Sequence, residues 1–180
     1  HWKTEARRVH TKMAYISNIG NDGAILLADD ERRFHSRANE LWHTENTFKF
    51  VPARCSLLLA REVPEQGGDT EFADMRAAYD ALTEEKKIKI EDLVVEHSII
   101  YSRTLLGFNG YTDGAKQELP PVPQVLVRHN HQTNRKALYL ASHGSHIVGW
   151  PNERGRALLD ELTVHATQSV SYTHLTLPTS

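Results

Sequence analysis

The chain has 180 residues, 39% of them hydrophobic and 24% charged, a composition that suits a globular domain with a hydrophobic core. The length is enough for one such domain and too short for two of ordinary size. With a formal net charge of −2, the composition does not indicate a basic surface that would bind nucleic acid or a membrane. No apolar run approaches the roughly 18 residues of a membrane span. The single cysteine, Cys55, excludes an intrachain disulfide framework, so we expect a cytoplasmic protein without a signal peptide.

The N-terminal part of the chain predicts a β-hairpin followed by a charged loop. Strand-forming residues at 14–19 and 24–27 flank the turn cluster Gly20-Asn21-Asp22-Gly23. The segment 29–37 is rich in charge and is predicted to be a loop that leads into the next strand.

The stretch 39–48 carries the pair with the most chemical interest, His43 and Glu45. We predict an extended strand here, on which residues i and i+2 point to the same face, so both side chains could converge on one metal ion. An imidazole nitrogen and a carboxylate oxygen are two of the three ligands in the facial triad of non-haem Fe(II) oxygenases. Because His-x-Glu also occurs by chance, an exposed strand with two polar residues facing solvent is the alternative.

Downstream of this pair, the sequence predicts a strand and two capped helices. Cys55–Ala60 is an apolar strand candidate, and a turn follows at Gly67-Gly68. Asp74 is a predicted N-cap for a first helix, and Thr83 for a second helix with acidic residues in its first turn. The helical spacing of four further residues predicts that the second helix continues to residue 97 with one buried face: Ile90, Leu93, Val94 and His97.

Glycine and proline interrupt the middle of the chain, and regular elements resume after them. Prolines 120, 121 and 123 exclude a helix or a central strand. Val125–Arg128 and Ala137–Leu140 are predicted to pair as strands around a polar loop, and residues 153–167 form an amphipathic helix with Ala157, Leu158, Leu162 and His165 near one face. Short strands with helices inserted as a block predict a mainly β protein with a jelly-roll core.

Several motifs together resemble the TauD/TfdA family of Fe(II)- and 2-oxoglutarate-dependent dioxygenases, and within it the branch that acts on 2,4-dichlorophenoxyacetate. The resemblance covers about residues 39–168 and implies a double-stranded β-helix, the jelly roll. It is carried by Trp42-His43-Thr44-Glu45, Gly67-Gly68-Asp69-Thr70-Glu71-Phe72-Ala73-Asp74-Met75-Arg76, Glu96-His97-Ser98, Tyr101-Ser102-Arg103 and Ser142-His143.

The resemblance implies roles for individual residues. His43 and Glu45 would be catalytic metal ligands for Fe(II), with Glu45 standing where the family usually has Asp, so that one additional methylene changes the carboxylate position. Thr70 would bind the carboxylate of 2-oxoglutarate. The substrate would be a small organic acid, aryloxyalkanoate-like or sulfonate-like, hydroxylated with O2 while 2-oxoglutarate becomes succinate and CO2. Three residues would line its pocket: Asn39, Ser102 and Arg103. We expect His97 and His143 to be hydrogen-bonded structural histidines.

The C-terminal end departs from the family pattern. The second iron histidine and the arginine that anchors 2-oxoglutarate lie in a later segment in the family, and this chain has no counterpart. Residues 169–180 contain no acidic or basic side chain apart from His174 and do not follow the pattern. The chain also starts at His1 rather than methionine. We therefore expect a partial dioxygenase domain at 1–168, incomplete at its C-terminus and inactive by itself, and a non-native tail at 169–180.

Two other functions are compatible with parts of the sequence. A zinc-dependent hydrolase would use four histidines, because zinc takes three protein ligands and a water: His129, His131, His143 and His146. A jelly-roll module could instead bind a ligand without catalysis. We expect no nucleic-acid or membrane partner, and the resemblance allows a homo-oligomer.

Overall fold

The computed structural model describes residues 17, 19–20, 23–27, 30, 37–60 and 66–168, and the backbone of 172–175. The chain forms two compact units, 1–41 and 42–180. No helix in the described ranges is both long and apolar enough to cross a membrane.

The described residues of the first unit confirm the turn of the predicted hairpin. Ile19 and Ile25 form an antiparallel bridge, and the Gly20 amide donates to the Ala24 carbonyl at 2.8 Å. Gly23 has φ +81°, which glycine adopts without the steric cost of a Cβ. Residues 14–16 and 18 of the predicted first strand, and most of the loop 29–37, lie outside the described residues. A short 3-10 helix, Ala38–Glu40, follows.

The second unit combines short strands with helices. Its described residues contain five α-helices: α1 (Met75–Asp80), α2 (Glu84–Ile90), α3 (Ile99–Thr104), α4 (Asp113–Glu118) and α5 (Asn152–Ala166). They also contain seven strands: β1 (Thr70–Ala73), β2 (Val94–His97), β3 (Val122–Val125), β4 (Val127–Asn130), β5 (Arg135–Leu138), β6 (Gly144–Ile147) and β7 (Tyr172–Leu175).

All pairings between these strands are antiparallel. β1 pairs with β7, β4 with β5, and β2 lies between β3 and β6. The β4–β5 hairpin confirms the strand pair predicted around a polar loop. β3 contains Pro123 and is an edge strand, where a residue without an amide proton costs no internal hydrogen bond.

The helix predicted to continue to residue 97 is wrong, because it ends at Ile90 and the chain re-enters a sheet. In β2 the buried residues are Val95 and His97, two positions apart, as in a half-buried strand. The predicted strand Cys55–Ala60 is also wrong: these residues are exposed and have no regular secondary structure.

The predicted helix caps and the long helix are confirmed. The Asp74 carboxylate accepts from the amides of Arg76 and Ala77 at 2.8 and 3.3 Å, and the Thr83 hydroxyl accepts from the Lys86 amide at 3.3 Å. Helix α5 has the predicted extent, but Ala157 is exposed rather than buried.

One hydrophobic core lies between the sheet and helices of the second unit. α1 packs on β5, and α5 packs on β6 and α1. A Cβ atom added to Gly155 of α5 would lie 3.2 Å from the Ile147 amide nitrogen, so glycine permits a close helix–sheet approach here. Members of this core include Ile90, Val95, Leu126, Leu138, Ile147, Leu158 and Leu162.

Candidate metal site

His43 and Glu45 converge, but on a turn rather than on the predicted strand. The chain is irregular at 42–44 and turns at 45–48, where Asn46 has φ +56° in the left-handed region. The turn places His43 Nε2 3.3 Å from Glu45 Oε1. The strand prediction was therefore wrong in conformation, while the predicted convergence of the two side chains is observed.

The geometry of this pair fits one metal ion. Two ligand atoms side by side at about 2.1 Å from an octahedral ion lie about 3 Å apart, close to the observed separation. The side chains are 24% and 52% exposed, so an ion in solution can reach them. The additional methylene of Glu45 does not prevent the approach. Among the described residues no third His, Cys, Asp or Glu completes a metal-binding group.

Two hydrogen bonds join the start of this segment to the chain that follows β5. The Thr44 hydroxyl donates to the Leu140 carbonyl at 2.8 Å, and the Ser142 amide donates to the Trp42 carbonyl at 2.9 Å. Trp42 and Thr44 are the residues on either side of His43 in the sequence. The backbone on either side of the imidazole is therefore fixed against the body of the second unit.

Further hydrogen bonds hold the end of the turn. The Thr47 side chain is fully buried, and its hydroxyl lies 2.9 Å from His97 Nδ1. The Gln124 amide donates to the carbonyls of Thr47 and Lys49. Sequence reasoning missed Thr47 and Gln124, because no local pattern relates residues about 75 positions apart.

A cavity of about 130 Å³ lies on the His43 side of the turn. Helix α5, strand β1 and the segment after β5 contribute to its wall. The imidazole of His43 therefore faces a space with both polar and apolar surroundings, where a small molecule can approach the candidate ligand. Lining residues include Trp42, His43, Glu71, Phe72, Met75 and Thr163.

Ser102 and Arg103, the predicted substrate contacts, lie on α3 beside His143. Ser102 is fully buried, and its hydroxyl lies 2.8 Å from His143 Nδ1. Arg103 Nη1 donates to the same hydroxyl at 3.4 Å, while the buried Nε has no hydrogen-bond partner among the described residues. The ring centroids of His143 and His43 are 6.4 Å apart. The structure thus places Ser102 and Arg103 next to a histidine that borders the candidate metal ligand.

The histidines expected to be structural are buried and hydrogen-bonded. Burial lowers the pKa of His97 to about 4, with a smaller contribution from the Arg128 charge. Burial also lowers the pKa of His143 to about 3, helped by Arg103, His43 and His97. Both imidazoles are therefore neutral at physiological pH, and the two histidines are buried and hydrogen-bonded as expected.

Thr70 and Asn39, the other two predicted site residues, are not among the residues that line the cavity beside His43. Thr70 is the first residue of β1 and is half-buried, but the cavity is lined by the residues that follow it, Glu71 to Ala73. Asn39 is exposed on the 3-10 helix of the first unit. Their roles remain predictions.

The predicted zinc site of a hydrolase does not form, and that alternative is wrong. His129 and His131 contact each other in the β4–β5 turn, with ring centroids 4.6 Å apart. His143 is buried against Ser102, and His146 contacts Ser145 and lies near Glu96. All four histidines are described, and they form no group of three metal ligands.

Comparison with known proteins identifies relatives over nearly the whole chain. A family model described as taurine catabolism dioxygenase TauD, TfdA family, matches residues 3–177. The chain is 43% identical over 163 residues to the alpha-ketoglutarate-dependent 2,4-dichlorophenoxyacetate dioxygenase of Cupriavidus pinatubonensis, covering 91% of the chain and 57% of that relative. It is 36% identical over 165 residues to the (S)-phenoxypropionate/alpha-ketoglutarate-dioxygenase of Sphingobium herbicidovorans, covering 87% and 58%.

A solved structure agrees with these relatives. The crystal structure of AAD-2 in complex with Mn(II) and N-oxalylglycine matches with a TM-score of 0.87 and 48% identity, over 91% of this chain and 60% of that one. The chain therefore spans somewhat more than half the length of these two relatives and of the AAD-2 chain.

Proposed function

The chain belongs to the TauD/TfdA family of dioxygenases, and from this premise we propose that it forms the metal-binding part of an Fe(II)- and 2-oxoglutarate-dependent dioxygenase. The observation that carries the proposal is the 3.3 Å approach of His43 Nε2 to Glu45 Oε1. In this role both side chains would hold Fe(II). Bound iron and 2-oxoglutarate supply the oxidising chemistry, with O2 consumed and succinate and CO2 released.

The residues around the pair would hold and orient the ion and its organic partners. Thr44 and Trp42 fix the backbone on both sides of His43, so the imidazole is held in place before a metal arrives. Thr70 would donate its hydroxyl to a carboxylate of 2-oxoglutarate. The cavity beside His43 is the space in which we place the small-molecule partners.

The substrate we propose is a small organic acid, of the aryloxyalkanoate or sulfonate class. The names of the relatives support this class, because they include a 2,4-dichlorophenoxyacetate, a phenoxypropionate and a sulfonate dioxygenase. Arg103 supports it physically: its buried Nε has no hydrogen-bond partner in the part of the chain that the structure describes, and guanidinium groups bind carboxylates and sulfonates well. We place Ser102 and Arg103 at the substrate, directly or through neighbouring side chains.

The architecture proposed for this function is a double-stranded β-helix. The antiparallel pairing of every described strand and the match to the AAD-2 structure support it. We further propose a partial dioxygenase domain, a cytoplasmic location and a homo-oligomeric assembly. The coverage of 57% and 60% of the matched proteins supports a partial domain.

An anaerobic titration with Fe(II) and 2-oxoglutarate tests the proposal. Chelation of iron by the keto acid gives a weak visible charge-transfer band, which we expect for this chain extended by the part of the Cupriavidus relative outside the match. His43→Ala and Glu45→Ala should abolish the band, whereas His131→Ala, in the exposed β4–β5 turn, should leave it unchanged. No band in either the chain or its extended form would overturn the proposal.

A further inference from the structure

The side chain of Gln124 joins three parts of the second unit. Gln124 lies on the edge strand β3 and is 7% exposed. Its Nε2 donates to the Thr47 carbonyl at 3.0 Å and to the Lys49 carbonyl at 3.1 Å, and its Oε1 accepts from Arg128 Nη2 at 2.8 Å. The whole amide group is therefore hydrogen-bonded.

A primary amide is the group that this position requires. Nε2 carries two hydrogens, and here each one meets a backbone carbonyl, while the oxygen meets a guanidinium. The reverse orientation of the amide would place an oxygen against two carbonyl oxygens, so the partners determine which atom is which. A glutamate could still accept from Arg128 but, when ionised, has no hydrogen for either carbonyl.

The two carbonyls belong to the turn that carries the candidate metal ligands. Thr47 and Lys49 are two and four residues after Glu45, and the Lys49 amide closes the turn onto the Asn46 carbonyl at 3.0 Å. Both carbonyls belong to the backbone that directly follows Glu45, so a shift of either one disturbs the turn on which Glu45 lies. Gln124 thus holds the turn that carries Glu45 through backbone contacts two and four residues further along.

His97 fixes the same turn from its side-chain face. It contacts the hydroxyl of Thr47, while Gln124 contacts the carbonyl of that residue. The two anchors are neighbours, because Val95 pairs with Gln124 and Val122 pairs with His97 in the antiparallel register of β2 and β3. Sheet pairing therefore presents both anchors to the turn from one rigid surface.

We propose that Gln124 is a positioning residue for the metal-binding turn, acting through the carbonyls of Thr47 and Lys49. Groups that orient metal ligands from outside the coordination shell typically change metal affinity by 10- to 100-fold when they are replaced. The metal part of this inference rests on the proposed function. The anchoring of the turn does not, because the hydrogen bonds exist without metal.

Two variants of Gln124 separate the donor role from other roles. Gln124→Glu keeps the size of the side chain and the acceptor for Arg128 but removes both donors. Gln124→Met removes all the side-chain hydrogen bonds of this residue without introducing a buried charge. The test can therefore still be carried out if Gln124→Glu does not fold. Gln117→Glu, on the exposed face of α4, is the matched control for the change of an amide to a carboxylate.

The experiment has two readouts on the intact chain: hydrogen exchange of the Lys49 amide without metal, and Mn(II) affinity from the electron paramagnetic resonance signal of free Mn(II). We expect both Gln124 variants to exchange the Lys49 amide at least about tenfold faster and to bind Mn(II) about 10- to 100-fold more weakly, with Gln117→Glu at wild-type values.

The outcomes distinguish this inference from the proposed function. Wild-type Mn(II) binding with unchanged exchange and affinity in both Gln124 variants would overturn the inference and leave the proposed function standing. Absence of Mn(II) binding in the wild-type chain would count against the proposed metal site. In that case faster Lys49 exchange in the variants would still support the anchoring of the turn, and unchanged exchange would overturn it.

Discussion

The imidazole of His143 donates a hydrogen bond from Nδ1 to the hydroxyl of Ser102. The two atoms are 2.8 Å apart, and the single proton of the hydroxyl is already donated to the Ile99 carbonyl, also at 2.8 Å. The oxygen must therefore accept from the ring. This fixes the neutral tautomer of His143, with the proton on Nδ1 and the lone pair on Nε2.

This arrangement changes what the α3 residues can do. The Ser102 hydroxyl has no proton left for a substrate and is fully buried, so its influence on a ligand passes through His143 or Arg103. The sequence motif at 101–103 could place these residues near the site, but it could not show that the serine orients a histidine.

Acid should destabilise the chain through His97. Its imidazole is 1% exposed and its pKa is lowered to about 4, against an ordinary value of about 6.5 in an unfolded chain. Below pH 6.5 the His97 imidazole is protonated in the unfolded state but stays neutral in the folded state. The stabilisation of the folded state by the neutral imidazole is therefore fully present above pH 6.5 and is lost as pH falls toward 4. The expected loss is about 3 kcal/mol between pH 7 and pH 4.

Urea unfolding at several pH values measures this effect. His97→Gln removes one of two buried titrating imidazoles and should reduce the dependence of the unfolding free energy on pH between 6.5 and 4, whatever its effect at pH 7, while the part due to His143 remains. His131→Gln, at an exposed position, should retain the wild-type slope. Equal slopes in all three proteins would show that His97 is not protonated on unfolding.

Shortening Glu45 should weaken metal binding, although aspartate is the usual residue of the family at this position. The turn of this chain brings the longer side chain to 3.3 Å from His43, and removal of a methylene withdraws the carboxylate by about 1.5 Å. We expect Glu45→Asp to lower Mn(II) affinity about tenfold. Glu45→Gln keeps the length of the side chain but loses its charge, so comparing the two variants shows whether Mn(II) affinity depends on the length or on the charge of the side chain. Equal or tighter binding by Glu45→Asp would contradict a turn matched to glutamate.

Local signals in the sequence determined the elements that could be predicted. The caps at Asp74 and Thr83 bond to amides two or three residues away, so the interaction and its signal lie in the same short stretch. Helix α5 and the β4–β5 hairpin were predictable for the same reason. The extension of α2 to His97 failed because the spacing of three apolar residues and His97 fits a continuous helix as well as the observed change from helix to strand after Ile90.

The candidate site was predictable only in part. The convergence of His43 and Glu45 follows from their sequence spacing, yet a turn produces it, with Asn46 at positive φ. Its anchors cannot be read locally, because Gln124 contacts the Thr47 carbonyl across a separation of 77 residues in the sequence. The strand expected at 55–60 has the right composition, but the described residues provide no partner for it, and a strand without a partner is not stable in water.

Loss of the Asp74 cap should destabilise the β1–α1 junction, which borders the cavity beside His43. The carboxylate accepts from two amides at the start of α1, and the Arg76 side chain lowers its pKa to about 2. We expect Asp74→Ala to lower the free energy of unfolding by about 1 kcal/mol at pH 7, and Asp74→Asn, which retains a capping oxygen, by less.

The two Asp74 variants should also differ from the wild type in their response to acid. The stabilisation from a carboxylate with a lowered pKa is present above its unfolded value of about 3.9 and is lost as pH falls toward 2. Neither variant carries that group, so both should lose less stability than the wild type in this window. Thermal unfolding at pH 7 and pH 3 measures both effects, and an equal penalty for the two variants at pH 7 would argue against capping.

The segment Phe50–Ala60 should cause self-association of the chain. Its residues are almost all exposed, form no regular structure and include three consecutive leucines that are 97%, 60% and 76% exposed, Leu57, Leu58 and Leu59. A contiguous exposed apolar run outside regular secondary structure can pair with another copy, as an uncovered edge strand does.

Sedimentation velocity over a range of concentrations measures this association. In an extended conformation Leu57 and Leu59 share a face, so the double variant Leu57→Lys/Leu59→Lys should place two charges on it and shift the distribution toward monomer. Ile88→Lys is the matched control, because Ile88 is 78% exposed but lies singly on α2. If the wild-type chain sediments as a monomer at all concentrations, the apolar segment does not drive association; if all three proteins associate equally, another surface is responsible.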